Sequence, residues 1–243
     1  MTMLDREAGI DGSPHIVFRL TTLLFAILLA AQCLWLMLAE LARPSISQLP
    51  SDMASAAAAA KQRDAASRAA SIGGIRSDLW AAAAFTYADL LWGEKNEAIA
   101  NANAASTLLR GRATLTRALN DGPHQSRVWL LLAGLSLRFA SLGFDGLETL
   151  KMSYYTGPSE QALVPLRLRT AAQLDGSKDI EMPQFISRDL RMLLALNQKS
   201  AIAEAYSVAS PSEKRFIEST IKDIDPTALD SLQTAKQRRP LAD

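Results

Sequence analysis

One cysteine, Cys33, and two histidines, His15 and His124, are all that this 243-residue chain offers toward thiol or imidazole chemistry. A lone thiol excludes an intramolecular disulfide and a cysteine metal site. Zinc needs three or four ligands, and neither histidine has a partner at ligand spacing, so no metal is expected. No stretch alternates apolar and polar residues with period two, which argues against a sheet. Charge of one sign is also missing, the net being +1. Removing Arg6, Arg19 and Arg43 from 26 basic residues leaves 23, and removing Asp5, Glu7, Asp11 and Glu40 from 25 acidic ones leaves 21. A body this balanced lacks the concentrated basic face of a nucleic-acid binder. Gly73-Gly74 follows no strand and precedes no Gly-Lys-Ser/Thr, so it is not a phosphate loop. Gly134-Leu135-Ser136-Leu137-Arg138 lacks the second glycine of a nucleophile elbow. The carboxylates scatter over solvent faces and capping positions. No catalytic constellation and no cofactor site emerges, and the chain reads as a non-enzyme.

What the sequence has in quantity is apolar length. Leu20–Ala39 carries no charge, with Arg19 before it and Glu40 and Arg43 after it. At about 1.5 Å per residue, such a run crosses the roughly 30 Å hydrocarbon core of a bilayer. A helix suits a lone span because it satisfies its own backbone where water is absent. A cleaved signal peptide would be shorter and would end in small residues, whereas Glu40 stands at the exit. The expected partner of residues 20–39 is therefore the lipid bilayer. Arg6 and Arg19 at the amino side favour a cytoplasmic tail, with the C-terminal domain outside. Alanine and arginine usage points to a bacterial inner membrane, which makes that domain periplasmic.

Six segments follow from punctuation and periodicity. Residues 1–15 form a tail rich in glycine and mixed charge, read as disordered, and 16–42 the transmembrane anchor. Residues 43–75 are a linker and alanine-rich stalk helix, or a helix packed loosely on the domain, entered through Pro44 and Pro50, capped by Ser51 or Ser55, and ended at Gly73-Gly74. Residues 76–160 hold paired helices. The first is Ser77–Trp92, broken at Gly93–Asn96; the second runs from about Glu97 to Leu119, with a turn at Asn120–Pro123. The third starts at Ser126, and the fourth is capped at Asp145 with Glu148. Residues 161–236 carry C-terminal helices opening near Gln161, at Met182-Pro183, at Ser210-Pro211 and at Asp225-Pro226. Residues 237–243 end the chain in a basic tail.

Within the paired region, Gly111, Leu115, Ala118, Leu119 and Pro123 are matched 35 residues later by Gly146, Leu150, Ser153, Tyr154 and Pro158. Small residues let two helices approach and large ones fill the groove between them, so this period is that of stacked helix pairs. Trp80, Ala83, Ala84 and Tyr87, and then Trp129, Leu132 and Ala133, repeat one first-helix spacing. Over residues 77–158 the chain resembles the tetratricopeptide (TPR) family. Ser136 stands where that family has tyrosine, and Pro165 sits at the next helix start. The fold class is all-α, one N-terminal transmembrane helix followed by a TPR-like helical repeat; an antiparallel helix bundle is the alternative.

The resemblance implies a groove lined by the first helix of each pair and a protein-protein interaction or scaffold role. Asp78, Phe85, Arg127, Leu130 and Arg138 are the partner-binding residues on the exposed face of those helices. Envelope assembly or polysaccharide secretion is a plausible setting. Two alternatives stand beside this reading. One is a structural single-span subunit whose anchor packs through Gln32, Cys33, Ala26, Ala30 and Ala31; the other is a secreted helical binding protein with a cleaved signal.

Overall fold

The computed structural model describes residues 14–46, 48–91, 102–139 and 143–226, and among them every regular element is helical. Residues 1–13 of the tail, the break at Gly93–Asn96, the first residues of the second expected helix, the helix after Pro226 and the basic tail lie outside the described residues, while Pro14 and His15 of the expected tail belong to the first helix.

Helix α1 (Pro14–Leu41) contains the apolar run, and from Ile16 to Leu41 it is long and apolar enough to cross a membrane. Its threonines are self-satisfied: Thr21 Oγ1 donates to the Phe18 carbonyl at 2.9 Å and Thr22 Oγ1 to the same carbonyl at 2.8 Å. Almost all of α1 is uncovered by the rest of the chain, the exception being Ala39 at its end.

Of the two readings of residues 43–75, the helix packed on the body describes the contacts better than the stalk. These residues fold into two helices, α2 (Met53–Ala60) and α3 (Arg63–Gly73), divided at Lys61-Gln62. Asp52, between the two expected serines, caps α2 and is answered by Ser55 in a capping box. Methyl side chains bury little area singly, but they permit close approach: Ala66 and Ala70 of α3 enclose Ala39 together with Leu79 and Ala83 of the next helix. The body is thus packed directly onto the end of α1.

Four helix pairs follow. They are α4 (Ser77–Phe85) with α5 (Ala102–Asp121), α6 (Ser126–Arg138) with α7 (Gly146–Thr156), α8 (Val164–Gln173) with α9 (Met182–Ala195), and α10 (Lys199–Val208) with α11 (Pro211–Ile224). Helix α4 ends seven residues before the expected Trp92 and passes through a 3₁₀ turn at Ala88–Leu91. Contacts run between the members of each pair and to neighbouring pairs, α4 to α6, α6 to α8, α8 to α10, and α9 to α11. Hydrogen bonds cross these seams at a recurring separation: Ser126 with Glu160 (34), Tyr154 with Asp189 (35), Asp175 with Ser210 (35) and the Ser177 amide with Glu213 (36). Between the first two pairs it widens, to 48 for Ser77 with Gln125 and 47 for Leu91 with Arg138.

The same close approach is built twice. A Cβ on Gly122 would lie 2.6 Å from Ser77 Cβ, and one on Gly157, 35 residues later, 2.5 Å from Ser126 Cβ. Trp80 Nε1 donates to the Gly74 carbonyl at 2.6 Å, and Trp129 Nε1 likewise reaches six residues back to Pro123 at 2.7 Å. The large side chains divide into one core around Leu115, Leu131 and Leu135 and a second around Leu168, Leu190 and Ile217.

Candidate functional site

First helices of successive pairs meet at two clefts. The larger, about 290 Å³, lies between α6 and α8. Helix α6 supplies Leu130, Gly134, Leu137 and Arg138; α8 supplies Leu166, Arg169, Thr170 and Gln173; Leu91 and Val208 close it. A Cβ on Gly134 would fall 2.7 Å from Leu91 Cδ2 and push that side-chain end aside at the edge of the cleft. Arg138 Nη1 donates to the Leu91 carbonyl, and Arg169 Nη1 pairs with Glu204 Oε1 of α10 at 3.0 Å. Burial, reinforced by the nearby charge of Arg169, holds the Arg138 guanidinium below its ordinary pKa. The floor is aliphatic and the rim cationic.

The second cleft, about 280 Å³, lies between α4 and the start of α6, beside the C-terminal end of α1. Arg43, Asp78, Phe85, His124, Arg127 and Glu160 line it. Arg127 Nε meets Glu160 Oε2 at 2.9 Å, and the other oxygen of Glu160 accepts from Ser126 Oγ. Arg76 hydrogen-bonds both oxygens of Asp78, at 3.2 and 2.7 Å, and holds that carboxyl below the usual aspartate range.

All five sequence-predicted residues line these clefts: Asp78, Phe85 and Arg127 the anchor-side one, Leu130 and Arg138 the larger one. Their expected exposure needs correction for two. Phe85 is 3% and Leu130 1% exposed, because both sit in the cores beneath the clefts and show only an edge. Sequence reasoning missed Arg169, Thr170 and Gln173. They belong to the helix after Pro165, which the spacing treats as an interruption; Pro165 instead occupies the first turn of α8, where its absent N–H costs nothing.

A buried polar cluster fixes α8 against α7 and links α7 to α9. Arg167 is 0% exposed; its Nε donates to Ser153 Oγ at 3.0 Å, its Nη2 to the Ser153 carbonyl, and its guanidinium lies 4.8 Å from the Tyr154 ring centre. Tyr154 stacks on Phe185 at 4.7 Å and donates its hydroxyl to Asp189 Oδ2 at 2.7 Å. Burial raises the Asp189 carboxyl to about 6, against the opposing pull of Tyr154, Arg167 and Arg188.

No family, curated protein or solved structure matches this chain.

Proposed function

We propose that this protein is a membrane-anchored, TPR-like interaction module that presents its α6–α8 cleft to a protein partner beside a bacterial inner membrane, with its C-terminal body on the periplasmic side. The observation that carries the reading is the larger cleft itself. First helices of neighbouring pairs supply both walls, with an aliphatic floor for a side chain and arginines at the rim for backbone carbonyls or carboxylates. The recurring 34–36-residue contacts support the repeat reading, and α1 supports the anchoring. A scaffold role in envelope assembly or polysaccharide secretion agrees with this arrangement.

A photo-crosslinking residue at Leu137 or Gln173, in cells, tests it. A discrete protein adduct from either position, absent when the probe stands at Arg117 on α5, is the expected result. Equal labelling from all three positions would sink the reading.

One observation favours a second reading, a structural subunit held by its membrane helix. Gln32 is exposed on α1, and its amide has no hydrogen-bond partner among the described residues. An amide in hydrocarbon gains by meeting another helix. Exchanging the span for an unrelated apolar helix separates the two: function survives if the cleft acts alone and is lost if the helix contact carries it.

A further inference from the structure

Helix α3 runs back along the end of the anchor. Before α3 begins, Gln62 Oε1 accepts from both the amide and the hydroxyl of Ser45, each at 3.1 Å, beyond the C-terminus of α1. Ala66 and Ala70 then pack with Ala39. Three further residues, close to one helical turn of about 5.4 Å, carry α3 on to Gly73, alongside the last turns of the span. Leu36, on the same face of α1 as Ala39, is accordingly the least exposed of the large apolar side chains left open on α1, at 40%. The turn between α3 and α4 therefore sits level with residues that lie inside the lipid boundary.

Its composition and bonding suit that position. Ile75 is 83% exposed, projecting from a turn whose other members, Gly73 and Gly74, carry no side chain. Three polar backbone groups of the turn are satisfied from within: Gly74 N–H donates to Ala70, Arg76 N–H to Gly73, and the Gly74 carbonyl accepts from the Trp80 indole. Few backbone groups of the turn are thus left to the water of the headgroup layer, which suits a boundary position rather than the hydrocarbon itself. Beside it, Arg43, Glu40, Arg76 and Asp78 form a network with two charges of each sign, linked at 2.8 Å (Arg43–Glu40), 3.0 Å (Arg76–Glu40) and 2.7 Å (Arg76–Asp78). A compensated cluster of this kind belongs at the headgroup layer.

We infer that the α3–α4 turn is a second membrane contact, with Ile75 inserted at the headgroup–acyl boundary next to the anchor. The inference rests on α1 spanning the bilayer. The test uses the full chain with Cys33→Ser, reconstituted in phosphatidylcholine–phosphatidylglycerol vesicles and carrying one environment-sensitive fluorophore at Ile75→Cys, Leu28→Cys or Ile180→Cys. Leu28 reports on mid-span, and Ile180, 93% exposed in the loop before α9, reports on the far body. Lipids with a nitroxide high on the acyl chain should quench the Ile75 label several-fold more than the Ile180 label, with aqueous iodide showing the reverse order. An Ile75 label that behaves like the Ile180 label while the Leu28 label is quenched by lipid overturns the inference and leaves the anchor standing. A Leu28 label open to iodide overturns both.

Discussion

Asp189 and Arg167 are fully buried charged side chains joined through Tyr154 and Ser153. A buried ion is costly unless nearly every donor and acceptor is answered, and Arg167 Nη1 and Asp189 Oδ1 lack hydrogen-bond partners. Raised to about 6, the Asp189 carboxyl holds its proton more tightly in the folded chain than in the unfolded one, where an aspartate titrates near ~3.9. The Asp189 contribution therefore favours folding most in acid and is lost as pH rises from about 4 through 6. The difference corresponds to roughly 3 kcal/mol at most. Asp189→Asn should flatten that limb, seen as a smaller change in unfolding free energy between pH 4 and 7 by denaturant titration. Asp78, Asp175 and Asp179, held low by Arg76, Lys178 and Lys151 respectively, act in the opposite sense. The subtraction of variant from wild type isolates Asp189 from them. A second residue-scale test concerns the glycine at the pair-to-pair contact. Gly157→Ala places a methyl against Ser126 and should cost about 1–3 kcal/mol as overpacking, with Ser126→Gly in the same chain recovering part of the loss in thermal melts. None of these partnerships was legible in the sequence. The 35-residue spacing of Ser153 and Tyr154 marks them as packing positions and says nothing of Arg167 or Asp189, which reach them from other helices.

Among the elements, those with strong punctuation were legible and those without were not. Asp145 accepts from the amides of Leu147 and Glu148, and Ser210 from that of Glu213, as their positions before α7 and α11 lead one to expect. Helix α10 escaped sequence reading. It follows Asn197 in the left-handed region (φ 54°), has no side-chain cap, and buries only Ile202 and Ala205. The alanine segment was legible only as a choice: lacking large side chains it reads as a stalk or a loosely packed helix, and its buried methyls pack it against the end of α1. Ala70→Leu should accordingly cost about 1–3 kcal/mol and raise amide exchange along α3. Arg76→Ala should change stability by less, since partly exposed ion pairs contribute about 0–1 kcal/mol. The burial of Phe85 and Leu130 has the same root as their misplacement on an open face. From Ala81 to Phe85 every side chain of α4 is buried, so no polar stripe reveals which side faces out.

At the scale of the molecule, each pair among the described residues contacts its neighbours in sequence. In the proposed linear array, stability is a sum of local terms and seams. The terminal pair α10–α11 has one seam, whereas α6–α7 has two. Hydrogen exchange should therefore be faster in α10 and α11 than in α6 and α7, and uniform exchange across all four would contradict the linear picture. The all-helical class and the single long apolar helix were readable from composition and period alone. The clefts were readable only by halves, because each wall comes from helices tens of residues apart. The joint at Ala39 and Ser45 ties the body to the end of α1 and has a mechanical result. A turn of α1 about its long axis would carry the packed body with it and swing the mouth of the α6–α8 cleft about that axis. A partner of the proposed kind, docked there, would read the azimuth of a helix it never touches.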